Sequence, residues 1–119
     1  MDHELRKLDT SERLRKRADF QAATTGTKVP TPAFVLQARN RGDNGPVRVG
    51  FTVSRKVGTA VERNRVRRRL KEIVRLAALT NFCAGHDYVV IGRRAALSLP
   101  FGKITEDFVR ALARLRAAK

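Results

Sequence analysis

The sequence has one cysteine, Cys83, and no tryptophan. A single thiol cannot form an internal disulfide, and it cannot build a metal site that needs more than one thiolate. The histidines, His3 and His86, share no metal-ligand spacing with Cys83 or with the carboxylates. We therefore interpret Cys83 as a small buried hydrophobe and predict that the protein has no metal site of its own.

Long apolar runs are also missing from the sequence. No stretch approaches the roughly 20 residues that span a bilayer. The N-terminal segment Met1–Asp9 has no apolar centre of the kind that a signal peptide carries. These absences predict a cytoplasmic protein that has no membrane partner.

Acidic residues are scarce, since 11 Asp and Glu stand against 26 Lys and Arg and leave a formal net charge of +15. Such an excess is typical of nucleic-acid binders, although charge alone does not distinguish RNA from DNA. Hydrophobic residues make up 42% of the chain, which is too many for a disordered basic tail. We expect residues 1–119 to form one folded domain with a single modest core, and we expect residues 1–8 to be mobile.

The components of a protein active site are not assembled in this sequence. Acidic residues are scattered among arginines, so no carboxylate pair can be nominated for general acid and base catalysis. No glycine-rich phosphate loop opens a helix. Cys83 and His86 lie too close along the chain to be presumed a nucleophile and its base. If the protein takes part in a reaction, another molecule should supply the catalytic groups.

What the sequence does contain is an arginine-rich segment, Ser54–Arg75, which reads SRKVGTAVERNRVRRRLKEIVR. Val66, Leu70 and Ile73 recur at helical spacing and predict a stripe that faces the core. A second stripe repeats this spacing two residues earlier, which is about 200° around the helix, and should face solvent. The second stripe consists of Asn64, Arg68, Lys71 and Arg75.

A capping box predicts where this helix begins. Thr59 and Glu62 have the spacing that lets a hydroxyl and a carboxylate each bond the other's backbone N–H, which places the start near Ala60. Arg63 and Arg65 then fall in the first turns, where the helix dipole disfavours each cation by roughly 0.3 kcal/mol or more. A sequence that accepts such costs in one place usually serves a binding site. We interpret this face as a polyanion-binding surface rather than an ordinary solvated basic face.

The remaining elements complete a two-layer α/β domain in the order helix, two or three strands, helix, strand, helix. They are a helix from Asp9 to about Thr24, an edge strand or extended connection at Lys28–Pro32, strands at Phe34–Arg39, Val47–Val53 and Tyr88–Ile91, and a final helix from near Pro100. The loop Asn40–Pro46 contains Asn44 followed by Gly45, which predicts a hairpin between its flanking strands. The usual handedness rule favours a right-handed crossover through the basic helix.

A strand and turn reading VGFTVSRKVG, then AVxRNR, then a basic helix, make Val49–Arg75 similar to the protein subunit of bacterial ribonuclease P. Arg63, Asn64 and Arg65 match the RNR motif of that family. The segments RLRKRADF, at Arg13–Phe20, and DYVVIGRR, at Asp87–Arg94, resemble it more loosely. The resemblance covers nearly the whole chain.

The resemblance implies an α+β two-layer sandwich of the ribosomal protein S5 domain 2-like fold. Its element order is αβββαβα, with a small mixed sheet. It also implies that the β-α-β crossover through the arginine-rich helix is left-handed, which is the rare form. We follow the resemblance on this point, against the general handedness rule.

The resemblance also implies a function, because ribonuclease P removes the 5′ leader from precursor tRNA. In the bacterial enzyme a large RNA subunit holds the Mg²⁺ ions and performs the cleavage. The chain would bind that RNA subunit and the leader, would contribute no catalytic residue or metal ligand, and would need no obligate protein partner.

Two surfaces are implied for these tasks. The RNA-subunit surface would comprise Arg55, Lys56, Arg63, Asn64, Arg65, Arg67, Arg68, Arg69, Lys71 and Arg75, of which Arg63, Arg67 and Lys71 would also border the leader path. The leader-binding cleft, between the first helix and the half-polar sheet face, would comprise Arg13, Lys16, Arg17, Phe20, Val35, Gln37, Arg39, Arg48 and Thr52. Phe20 would be the stacking platform for single-stranded bases.

Two positions depart from the family pattern, because many members carry aromatic residues where this chain has Thr24 and Gln37. We therefore expect leader affinity to depend more on the charges of Lys16, Arg39 and Arg48 and to fall more steeply with salt. An alternative function, a ribosomal or ribosome-assembly protein that binds rRNA, stays compatible with the composition and the fold class. A DNA-binding protein is less favoured, because no helix-turn-helix pair precedes the basic helix.

Overall fold

The computed structural model describes Arg17, residues 26–77 and residues 82–117. The strands are β1 (Thr27–Pro30), β2 (Phe34–Asn40), β3 (Arg48–Thr52) and β4 (His86–Gly92), and the helices are α1 (Ala60–Ala77) and α2 (Phe101–Ala117). Short 3-10 turns at Arg55–Val57 and Arg94–Leu97 follow β3 and β4. The helix predicted at Asp9–Thr24 lies outside the described residues, except for Arg17, which is helical and exposed, and so does the prediction for residues 1–8.

The strands form one mixed sheet in the order β1-β2-β4-β3. β2 is antiparallel to both β1 and β4, whereas β3 is parallel to β4. β1 contains Pro30 and lies at the sheet edge, where a missing backbone donor is tolerated. The α/β class, the small mixed sheet and the β-α-β connection through α1 are confirmed.

The predicted hairpin between β2 and β3 is wrong, because β4 lies between these strands. Every β4 residue except Ile91 is buried, and a strand with so little exposed surface is most stable in the sheet interior. The loop that follows β2 therefore crosses the end of β4 instead of turning back directly. Arg41 N–H donates to Gly85 O and Gly85 N–H donates to Gly45 O, each at 2.9 Å, so the loop is tied to the turn that enters β4.

The core lies between one face of the sheet and the two helices. The predicted stripe of α1 is buried, and so is the apolar side of α2; the buried helix residues include Val66, Leu70, Ile73, Ile104, Phe108, Ala111, Leu112 and Leu115. Phe34 of β2 packs on Phe108 with ring centroids 5.6 Å apart. A Cβ at Gly92 would meet Val66 Cγ1 at 2.7 Å, so the close approach of β4 to α1 depends on glycine.

Cys83 is partly exposed rather than fully buried, which corrects the prediction from sequence. Its backbone N–H donates to the Tyr88 hydroxyl at 3.1 Å, and burial raises the pKa of Tyr88 to about 12. Across the described ranges, neither helix is both long and apolar enough to cross a membrane.

Leu70→Ala should lower the free energy of unfolding by about 2–5 kcal/mol, because Leu70 is 1% exposed and its removal leaves a cavity. Leu76→Ala is the matched control on the same helix, since Leu76 is 48% exposed, and should change it by less than about 0.5 kcal/mol. Urea unfolding of both variants measures the difference. Equal losses would mean that the faces of α1 are assigned incorrectly.

Candidate nucleic-acid interface

The first turn of α1 is fixed by the capping box. Thr59 N–H donates to Glu62 Oε1 at 2.9 Å, and Glu62 N–H donates to Thr59 Oγ1 at 3.2 Å. Arg94, which follows β4, donates to Val57 O at 2.7 Å and to both carboxylate oxygens of Glu62 at 3.2 and 3.3 Å. The start of the basic helix is therefore attached to the end of the central strand.

The charge of Glu62 also matters for the arginines that follow it. Its hydrogen bond from the Thr59 backbone and its contact with Arg94 hold the pKa of the Glu62 carboxyl below its usual value. An ionised carboxylate in the first turn offsets the unfavourable placement of Arg63 and Arg65 beside the positive helix end. Sequence reasoning missed Arg94; its only sequence signal was its place in the DYVVIGRR segment.

The solvent side of α1 carries a shallow depression of about 360 Å³, lined by Val61, Asn64, Arg67, Arg68 and Lys71. Arg67 Nη1 donates to Asn64 Oδ1 at 2.9 Å, so the amide oxygen is engaged within the protein and the amide NH₂ is the group that can donate outwards. The polar groups presented here are thus mainly hydrogen-bond donors, most of them charged. Such a surface matches the oxygens of phosphate groups.

The predicted site residues on and before α1 differ in their exposure and in their contacts. Arg65 is exposed beside this depression, and Arg55 and Lys56 are exposed on the 3-10 turn before α1. Arg69 instead donates from Nη2 to Leu99 O at 2.7 Å and lies 5.9 Å from the Phe101 ring centroid, so it contacts the start of α2. The Arg75 guanidinium pairs with Glu72 at 2.5 Å.

The sheet face opposite α1 and α2, which we call the open face because neither of these helices covers it, carries the predicted floor of the cleft. Strand register aligns Val35 with Ile91 and Thr52, Gln37 with Val89 and Gly50, and Arg39 with Asp87 and Arg48. Val35, Arg39, Arg48 and Thr52 are partly exposed, whereas Gln37 is only 4% exposed. Arg17 is exposed, and the other predicted cleft residues, Arg13, Lys16 and Phe20, lie outside the described residues.

Asp87 is a buried carboxylate near the start of β4, at one end of this face, with no exposed surface. Arg48 donates to it through Nε and Nη2, both at 2.7 Å, and Arg41 donates through Nη1 at 2.5 Å. Burial by itself would raise the pKa of the Asp87 carboxyl, but the hydrogen bonds and charges of Arg48 and Arg41 hold it below its usual value. Sequence reasoning missed both Asp87 and Arg41 as functional neighbours of the cleft.

The family model for ribonuclease P matches residues 8–116. The chain belongs to the ribonuclease P protein family. It is 48% identical over 105 residues to the ribonuclease P protein component of Gluconacetobacter diazotrophicus, covering 87% of this chain and 90% of that protein. It is 42% identical over 106 residues to the corresponding protein of Erythrobacter litoralis, covering 89% and 87%.

Solved structures agree with this assignment. The RNase P protein of Staphylococcus aureus superposes with a TM-score of 0.73 at 30% identity, covering 87% of this chain and 94% of that one. The RNase P protein of Thermotoga maritima gives a TM-score of 0.73 at 32% identity, covering 87% and 96%. The resemblance noted from the sequence is confirmed. In the part of the chain that the structure describes, no three His, Cys, Asp or Glu residues cluster as metal ligands would.

Asp87→Asn should lower the free energy of unfolding at pH 7 by about 1–3 kcal/mol, because buried charged hydrogen bonds are lost. Since the folded pKa of Asp87 is depressed, its stabilisation is complete above the unfolded pKa of about 3.9 and is lost as pH falls towards the folded pKa. The stability difference between wild type and variant should therefore shrink below about pH 4. Urea unfolding across pH 2.5–7 measures it, at values chosen to bracket the reference pKa of about 3.9.

Glu106→Gln is the control for this measurement, because Glu106 is exposed on α2 and, among the described residues, pairs with Arg110 at 2.8 Å. The free energy of unfolding of this variant, plotted against pH, should run parallel to that of the wild type. If the free energies of unfolding of wild type and Asp87→Asn differ by a constant amount across the acid range, the assigned role of Asp87 is wrong.

Proposed function

We propose that this chain binds the catalytic RNA subunit of ribonuclease P and the 5′ leader of precursor tRNA, and so promotes removal of the leader to give the mature 5′ end. The single observation that carries the proposal is the donor-lined depression on α1, with Asn64, Arg67, Arg68 and Lys71, in a member of this family. The family membership disfavours the alternative of a ribosomal or ribosome-assembly protein.

The surface for the RNA subunit is the solvent side of α1 together with the turn that precedes it. Its exposed or partly exposed cations are Arg55, Lys56, Arg63, Arg65, Arg67, Arg68, Lys71 and Arg75. Each guanidinium or ammonium group that neutralises a phosphate releases counterions, which makes binding favourable and dependent on salt. Arg69 contributes indirectly, because its contact with Leu99 O fixes α1 against the start of α2.

The surface for the leader is the open face of the sheet, with Val35, Gln37 and Thr52 as its floor and Arg39 at one end, where Arg48 pairs with Asp87. Phe20 supplies an aromatic ring for stacking, which is worth about 1–3 kcal/mol per base and tolerates any base. Tolerance of sequence suits an enzyme that meets many different leaders.

The protein contributes no reacting group in this proposal. Mg²⁺ is held by the RNA subunit and the substrate phosphates, and the cations of the protein reduce the repulsion between two polyanions. The assistance should therefore be largest when Mg²⁺ is scarce. The cytoplasm is the compartment we assign to this reaction.

Adding the purified chain to ribonuclease P RNA and precursor tRNA at low Mg²⁺ should raise the rate of leader cleavage by about tenfold or more. The control is an unrelated basic protein of matched charge, which should not substitute. If both proteins stimulate equally, or if neither does, the proposal is wrong. Leader removal by the chain without any RNA subunit would contradict the assignment of the chemistry to RNA.

Arg65→Ala and Arg68→Ala should each weaken binding to the RNA subunit and reduce the slope of log affinity against log salt by about 0.7–0.9, the share of one phosphate. Both side chains are exposed, so thermal unfolding should be unchanged. Arg110→Ala, an exposed arginine on α2, is the matched control and should leave the slope unaltered. Filter binding over a salt series gives the slopes; wild-type slopes in both helix variants would remove α1 from the interface.

A further inference from the structure

Three arginines and two carboxylates meet at one end of the open sheet face. Arg41 is fully engaged there, since its five N–H groups find partners within the protein. Nε and Nη2 donate to Asp43 at 3.2 and 3.1 Å, Nη2 also donates to Pro46 O at 2.8 Å, and Nη1 donates to His86 O at 3.1 Å and to Asp87 at 2.5 Å. A ligand could bind Arg41 only by breaking the loop it holds together.

Arg48 is held almost as firmly. Its Nε and Nη2 donate in parallel to the two carboxylate oxygens of Asp87, and its side chain is only 19% exposed. This paired geometry is the strongest that arginine makes with a carboxylate. A phosphate that took Arg48 would leave Asp87, which has no exposed surface, with part of its charge uncompensated.

Arg39 differs from both. It stands opposite Asp87 in the register of β2 and β4, yet its Nη1 lies 3.8 Å from Asp87 Oδ2, beyond hydrogen-bond distance. Its side chain is 36% exposed. The carboxylate thus attracts the guanidinium to this end of the sheet without consuming its N–H groups. Among the residues that the structure describes, the contacts of Asp87 thus go to Arg41 and Arg48 at hydrogen-bond distance and to Arg39 only at longer range.

We infer that Arg39 is the phosphate-binding residue at this end of the open face, and that Asp87 is a positioning residue that withdraws Arg41 and Arg48 from the ligand. The inference rests on the proposed function, and the ligand it names is a phosphodiester of the single-stranded leader. It separates the roles of Arg39 and Arg48, both of which the sequence analysis predicted to contribute charge to leader binding.

The test uses the holoenzyme reconstituted with ribonuclease P RNA and compares precursor tRNA with the same tRNA lacking its leader. The ratio of the two affinities, measured over a salt series, isolates the contribution of the leader. Arg39→Gln should reduce the salt slope of that ratio by about 0.7, the share of one single-stranded phosphate, while the unfolding midpoint stays at the wild-type value. Arg39→Lys should restore the slope, because an ammonium group also binds phosphate as a point charge.

Arg48→Gln is the comparison variant. It should lower the midpoint of thermal unfolding and leave the salt slope of the affinity ratio unchanged. The inference is overturned if Arg39→Gln keeps the wild-type slope, or if Arg48→Gln reduces the slope as much as Arg39→Gln does. The first of these outcomes does not depend on whether Arg48→Gln folds, because Arg39→Gln leaves the buried contacts of Asp87 intact.

Failure of the proposed function would look different. If wild-type holoenzyme binds tRNA equally well with and without its leader, the leader surface itself is wrong. If wild type prefers the leader-bearing substrate and Arg39→Gln does so with an unchanged salt slope, only the role of Arg39 is refuted.

Discussion

The interior position of β4 is the constraint on which the other parts of the structure depend. Its apolar residues supply the middle of the core on one face, and Asp87 supplies a buried carboxylate on the other. Gly92 lets α1 approach closely enough to cover the sheet. Because β4 pairs with β2 on one side and β3 on the other, it also brings Arg39 and Arg48 to the same end of the open face.

Part of the excess positive charge is compensated locally, because acidic residues pair with arginines that lie close together. On α1, Glu62 lies between Arg94 and the first arginines of the helix, and Arg67 is tied to Asn64. At the sheet, Arg41 pairs with Asp43 and Asp87, and Arg48 pairs with Asp87. Glu62, Asp43 and Asp87 thus each lie at a point where arginines crowd together.

Local sequence signals predicted the elements well and their pairing less well. Thr59 and Glu62 marked the start of α1, and the spacing of Val66 and Leu70 marked its buried face, because both effects act within one or two helical turns. The Asn44–Gly45 signal lies in the loop after β2 but wrongly implied a hairpin to β3, since β2 pairs instead with β4, more than forty residues further along the chain. Likewise, helical periodicity could not reveal that Arg69 contacts Leu99, nor that Asp87 would select Arg48 over Arg39.

The link from Arg94 to Val57 and Glu62 has a mechanical consequence. It ties the beginning of α1 to the segment that leaves β4, and so helps to set the position of the basic helix relative to the central strand. If the RNA subunit binds the helix and the leader binds the sheet, as proposed, the fold of the protein sets the distance between the two RNAs.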